Sequence, residues 1–213
     1  MPEIDTRRLS TRVGIVDIGI ANIGSLHRCL KDIVESVNLV RTPDDLVAID
    51  RLILPGVGSF PEAMTRLRNC DLDRSIKEFV SVHKKPLLGI CLGMQLLATV
   101  GEEHRETRGL GLIDGRVKKL EAKAIRIPHM GWNSVQSLRR SPLLEDVPDN
   151  HDFYFVHSFT FGPSEQKAIL AVTEYGEQFC SIVQQDNIFG VQFHPEKSSI
   201  VGQRLISNFC AVS

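Results

Sequence analysis

The chain has 213 residues, 42% of them apolar and 24% charged, and a formal net charge of -1. That length can fill one hydrophobic core, and the near-neutral balance gives no global pull toward nucleic acid or an anionic membrane. No apolar run approaches the roughly 20 residues that span a bilayer, and the five cysteines (Cys29, Cys70, Cys91, Cys180, Cys210) are scattered, with no C-x-x-C pair.

That cysteine pattern speaks against a disulfide framework or a zinc site and fits a reducing compartment, so a cytoplasmic protein without metal or cofactor is expected. The opening stretch, MPEIDTRRLSTR, is polar and has no apolar core, unlike a secretory signal. Residues 1–11 are read as a flexible tail and 12–213 as a single domain.

Arg12 to Ile18 (RVGIVDI) reads as a strand covered on both faces. Asn22 stands where it can cap the next helix, in which Ile23, Leu26, Leu30, Ile33 and Val34 recur at helical spacing. Val37 to Thr42 gives a second strand, Pro43-Asp44-Asp45 a helical turn, and Arg51 to Leu54 a third strand. This alternation predicts an open, mostly parallel sheet with helices on both faces.

The third strand runs into Pro55-Gly56-Val57-Gly58, either an ordinary strand-to-helix turn or a loop whose backbone N–H groups face a ligand. Phosphate cradling is disfavoured, because neither G-x-G-x-x-G nor the P-loop lysine is present. Helices are expected over Pro61–Asn69 and Asp71–Lys84.

Pro86 to Val100 (PLLGICLGMQLLATV) reads as a buried strand, a sharp turn and a helix from Met94, with Cys91 on the turn. Gly89 and Gly93 leave room for the backbone crowding that a strained nucleophile turn requires. A thiol beside a helix N-terminus is favoured as thiolate. The alternative is a small buried hydrophobe, the commoner fate of a free cysteine.

After a charged loop, Gly101–Arg108, short strand-like runs take over: Arg116–Leu120, Ala124–Pro128, Trp132–Ser137, Asp152–Thr160, Ala168–Tyr175, Phe179–Gln184 and Ile188–His194. They predict an antiparallel extension of the same sheet. Ser198 can cap a last helix, Ile200–Val212.

A catalytic thiol needs a base, and the base an orienting acid. Of seven histidines, His129, His157 and His194 follow apolar strand-like runs. His194 has the best local chemistry, because in an extended backbone Glu196 points to the same side as the imidazole and Pro195 favours that extension. Cys91 and His194 each fall near the C-terminal end of a predicted strand, the edge where open α/β sheets place their sites.

The stretches PGVGSF, GICLGMQ and VQFHPE, in that order, resemble the class I (triad-type) glutamine amidotransferases from about Val13 onward. The resemblance implies a flavodoxin-like amidotransferase fold, with Cys91 as nucleophile, His194 as general base and acid, and Glu196 as the residue orienting the imidazole. It further implies an oxyanion hole from backbone N–H groups of Leu92 and the Val57–Gly58 region, and glutamine contacts from Gly56 and Gln95.

PHMGWN (128–133), YFVHS (154–158) and HPEKS (194–198), with DIGIANIGS near the N-terminus, are similar to the glutaminase subunits of imidazole glycerol phosphate synthase. That family implies ammonia transfer to a separate (β/α)8-barrel cyclase, hence a heterodimer, with L-glutamine as substrate. Asn22, His129, Trp132, Tyr154 and Lys197 are the candidates for the partner face or ammonia passage. A γ-glutamyl hydrolase or a non-catalytic relative on the same scaffold are the competing readings.

Overall fold

The computed structural model describes residues 8–121 and 125–212. The first half alternates strand and helix: β1 (Leu9–Val16), α1 (Ile23–Leu30), β2 (Val34–Val40), β3 (Arg51–Gly56), α2 (Phe60–Asn69), α3 (Leu72–Ser81) and β4 (Leu87–Cys91). A short helix, α4 (Leu92–Leu96), leads into β5 (Val100–Gly101), β6 (Thr107–Arg108) and β7 (Gly115–Lys119). Then come β8 (His129–Ser137), β9 (His151–His157), β10 (Phe159–Pro163), β11 (Ile169–Glu174), β12 (Gln178–Gln185), β13 (Ile188–Val191) and α5 (Ser199–Ala211).

Nine strands form one mixed sheet in the order β2-β1-β3-β4-β13-β12-β11-β8-β9. The β2-to-β13 portion is parallel, and β12, β11, β8 and β9 extend it antiparallel. The period-2 alternation of side chains divides the core in two. Leu52 and Leu54 of β3 face α2 and α3, through Phe60, Leu67, Ile76 and Phe79, while Ile53 of β3 faces the side that holds Leu26 and Leu30 of α1 and Leu205 and Phe209 of α5. This is the α/β architecture with helices on both faces that the alternation predicted.

Several boundaries differ from expectation. Leu9–Thr11, assigned to the tail, belong to β1: Leu9 N–H donates to Ile33 C=O at 2.7 Å and Leu9 pairs with Val34. The first seven residues of that tail lie outside the described residues. Val34, read as the end of α1, opens β2 instead, because its buried side chain serves either element and β-branching favours the strand. The helix expected over Met94–Val100 spans only Leu92–Leu96, and Val100 pairs with Arg108 and Arg116 in a second sheet, β10-β7-β5-β6. An apolar run buried on all sides carries no period to separate helix from strand. Of the strand expected over Ala124–Pro128, Ala124 lies outside the described residues and Ile125–Pro128 form no strand, Pro128 having no N–H to offer a ladder.

The close approach of α4 to the sheet depends on Gly93. A Cβ there would lie 1.7 Å from the Leu54 carbonyl oxygen, a backbone atom that cannot step aside. We expect Gly93→Ala to destabilise the chain by about 3 kcal/mol or more, the upper range for overpacking, read as a lowered midpoint of urea denaturation.

Candidate active site

The register of three parallel neighbours assembles the site. Gly56 of β3 lies opposite Cys91 of β4, and Val191 of β13 opposite Ile90. The Pro55–Gly58 loop therefore emerges on one side of Cys91 and the Gln192–Glu196 segment on the other, all at the C-terminal edge of the sheet. Cys91 has φ 55° and ψ -111°, a left-handed conformation for a residue with a side chain, and α4 starts at the next residue. Such a strand-to-helix turn lifts the sulfur out of the sheet. Cys91 is 6% exposed and lines a cavity of about 310 Å³ together with Gly58, Leu92, Gln95, Glu103 and His194.

His194 Nδ1 lies 2.9 Å from Glu196 Oε1, and the two side chains are only 5% and 4% exposed. The contact is made across a 3-10 turn, Pro195–Lys197, rather than along a continued strand, with His194 itself extended (φ -103°, ψ 93°). Ser198, expected to cap α5, makes no side-chain cap bond. Its hydroxyl is committed elsewhere, donating to His194 C=O at 2.6 Å and accepting from Tyr154 N–H at 3.0 Å. With His194 N–H bonded to Tyr154 C=O at 2.9 Å, this clamps the histidine backbone against β9. His194 lines the same cavity as Cys91, and its Nε2 is buried with no hydrogen-bond partner among the described residues. Catalytic hydrogen bonds commonly tighten only when substrate is bound.

Burial works against charge on His194, but the Cys91 sulfur and the Glu196 carboxylate outweigh it and raise the imidazole to about 9. The other candidate histidines go the opposite way. Burial takes His129 down to about 4 and His157 to about 3. They form a neutral chain with assignable protons: Asn133 Nδ2 faces His129 Nε2 (3.2 Å), His129 Nδ1 faces His157 Nε2 (2.9 Å), and His157 Nδ1 faces Phe159 C=O (2.9 Å). Since the carbonyl can only accept, each ring donates through Nδ1 and accepts at Nε2.

The remaining candidates separate into groups. The N–H groups of Leu92 and Gly58 have no acceptor among the described residues, but Val57 N–H donates to Ile20 C=O at 2.8 Å and is not presented to the cavity in this conformation. Trp132, 54% exposed, meets Tyr154 edge to face at 6.1 Å, and Lys197 Nζ lies 5.7 Å from the Tyr154 ring centre. Asn22 is exposed but makes no cap bond to α1. His129 does not belong to an exposed partner face: it is 2% exposed, stacked between Tyr175 and Phe155.

Two residues near Cys91, Glu103 in the cavity wall and Gln192 behind it, escaped the sequence reading. Glu103 sits in the charged run Gly101–Arg108, read as solvated, yet its Oε2 accepts Phe60 N–H at 2.7 Å. Gln192, read as a strand residue, is fully buried beside Cys91; its place inside VQFHPE was the available signal. Among the described residues no group of three or more His, Cys, Asp or Glu side chains is placed to hold a metal.

This fold, with a thiol on a strained turn and a buried His–Glu pair, defines a class I glutamine amidotransferase, and the family description "Glutamine amidotransferase class-I" matches residues 14–212. The imidazole glycerol phosphate synthase subunit HisH of Moorella thermoacetica is 43% identical over 197 residues, covering 92% of this chain and 93% of its own. That of Vibrio cholerae is 42% identical over 206 residues, covering 94% and 98%. Among solved structures, PurLQS from Thermotoga maritima superposes with a TM-score of 0.72 at 17% identity, covering 94% of this chain and 98% of that one. The chain belongs to the HisH family of imidazole glycerol phosphate synthase subunits.

Because Glu196 helps hold His194 protonated, the glutaminase activity of the wild type should fall on the alkaline side near pH 9 if His194 is, as proposed below, the acid that protonates the leaving group. Removing the carboxylate charge with Glu196→Gln lowers the imidazole, so the alkaline limb should move to lower pH, with a kcat loss of roughly 10²-fold or more. A pH–rate profile of both forms checks this.

Proposed function

We propose that Cys91, His194 and Glu196 hydrolyse L-glutamine and that the ammonia passes to a separate (β/α)8-barrel cyclase, which makes imidazole glycerol phosphate and AICAR in histidine biosynthesis. The observation that carries this reading is the placement of Cys91, at positive φ and at the head of α4, in one cavity with the buried His194–Glu196 pair. Five free thiols fit a reducing compartment, and we place the heterodimer in the cytoplasm.

The cavity suits the substrate. Glutamine carries an α-ammonium, an α-carboxylate and a carboxamide. Glu103, fixed by Phe60 N–H, offers a carboxylate to the ammonium. Gln95 lines the cavity with the sulfur, and Gly56, paired with Cys91, leads into the loop beside it. The Cys91 thiolate attacks the side-chain carbonyl carbon, whose oxygen becomes an oxyanion held by Leu92 N–H and by the Val57–Gly58 loop. The tetrahedral intermediate collapses as His194 gives its Nε2 proton to the departing nitrogen. Ammonia and a γ-glutamyl thioester result. His194 then takes a proton from water, which attacks the thioester. Collapse expels the thiolate, releasing glutamate and restoring the pair.

The Val57–Ile20 bond explains how a partner could govern this cycle. With Val57 N–H turned to Ile20, the oxyanion lacks a donor, a loss of roughly 3 kcal/mol in barrier or about 10²-fold in rate. Ile20 lies in the same loop as exposed Asn22, so a cyclase docked there and on Trp132, Tyr154 and Lys197 can free the peptide to turn. Gly58, at φ 100° with open space around it, supplies the backbone freedom.

The test is a glutaminase assay of the full chain with and without the cyclase and its ribonucleotide substrate. Activity should rise by at least about 10²-fold in the complex. Cys91→Ala should abolish glutamine-dependent synthesis while leaving synthesis from added ammonium intact. A free chain as fast as the complex would sink the switching role of Val57, and glutamine turnover by Cys91→Ala would sink the nucleophile assignment.

A further inference from the structure

Gln192 is 0% exposed and directly follows β13, where Val191 pairs with Ile90. Its carboxamide fills the space between two residues already placed in the site. Gln95 Nε2 lies 3.0 Å from Gln192 Oε1, and Gln192 Nε2 lies 3.8 Å from Cys91 Sγ.

The polarity of this chain follows from a backbone atom. Gln95 Nε2 is also 2.9 Å from the Phe159 carbonyl oxygen, which can only accept, so the Gln95 nitrogen is identified without ambiguity. Both Gln95 N–H bonds are then spent, one on Phe159 and one on Gln192. The Gln192 atom that receives the second must be the oxygen, which leaves the Gln192 N–H group facing sulfur. Two consequences follow. The Gln95 oxygen, which no donor among the described residues reaches, is the atom left for a ligand. The sulfur receives an N–H donor from a buried, uncharged side chain.

The thiol and the thiolate meet different partners here. As a thiol, Cys91 can donate S–H to Val156 C=O, 3.8 Å away. Once that proton has gone to His194, the carbonyl dipole offers nothing to a negative sulfur, whereas an N–H donor binds the anion more strongly than the neutral thiol.

We propose that Gln192 is a further catalytic residue of the glutaminase reaction: its N–H donates to the Cys91 sulfur and favours the ionised nucleophile, while its oxygen holds Gln95 with a free carboxamide oxygen toward bound glutamine. The proposal rests on Cys91 being the nucleophile.

The experiment follows alkylation of Cys91 by iodoacetamide against pH in the full chain, read at the Cys91 peptide by mass spectrometry, with glutamine kinetics in the cyclase complex. Gln192→Met keeps the volume and removes both donor and acceptor. Alkylation at pH 7 should slow about 10-fold, the midpoint of its pH profile should move upward, and KM for glutamine should rise as Gln95 is released. A folded Gln192→Met chain with an unchanged alkylation profile overturns the proposal. Should the substitution prevent folding, the wild type gives its own readout. The Gln192 side-chain amide resonance must titrate together with Cys91 alkylation, and a resonance that does not move overturns the proposal equally. Cys91→Ala run in parallel separates the two failures. Retained glutamine turnover there refutes the nucleophile, whereas lost turnover with a flat Gln192 response refutes only Gln192.

Discussion

The turn from β4 into α4 is the constraint on which the site depends. A non-glycine residue held at φ 55° costs of order 1–3 kcal/mol and persists only where its surroundings over-determine it. Here the surroundings are backbone. Gly93 packs on the Leu54 carbonyl, and a Cβ at Gly89 would strike the Gly93 carbonyl at 2.6 Å. Helix α4 is thus pressed onto β3 and β4 with no side chain between, and Cys91 cannot relax into the sheet. Parallel pairing does the rest, setting Gly56 beside Cys91 on one flank and Gln192 on the other.

Burial is the second constraint, and the histidines show how it is resolved. His194, His129 and His157 are all nearly inaccessible, and burial penalises the charged form of each. His194 has a sulfur and a carboxylate within reach and ends raised. His129 and His157 have only each other, an asparagine amide and a carbonyl, and end neutral. On the proposed reading, the carboxylate that orients the base also favours its protonated form, and the Ser198 clamp keeps His194 in register with β9.

The sequence carried the strand–helix alternation because both sheet faces are buried and the helices are amphipathic. The turn at Cys91 was legible through its two glycines, and the His194–Glu196 contact through their spacing, although a 3-10 turn rather than a strand brings them together. What escaped was set by tertiary contacts. Ser10 and Thr11 look polar but, with Leu9, complete β1, since pairing with β2 is made by the backbone. Ser198 and Asn22 have capping chemistry, yet the serine hydroxyl is claimed by Tyr154 and His194, and asparagine reaches no helix N–H. Two of the four strands of the second sheet, β5 and β6, are two residues long and too short to have a period. Glu103 could not be told from its solvated neighbours, because only folding carries it back to the N-terminus of α2.

On the proposed reading, the state of Val57 is a matter of competition between two acceptors for one N–H. The bond to Ile20 joins groups of two loops and, like most intramolecular hydrogen bonds, is worth about 1 kcal/mol net. An oxyanion is the stronger acceptor, but it exists only after attack, so the loop must turn before it can be rewarded. A partner that binds the turned form better supplies that difference in advance. The exposed Trp132, the Tyr154–Lys197 contact and the Asn22 loop provide surface from which to draw it. A bias of a few kcal/mol lies well within what a protein interface delivers. An oxyanion donor left unaligned thus restrains glutamine hydrolysis until a receiver for ammonia is docked, and it does so without disturbing Cys91 or the His194–Glu196 pair.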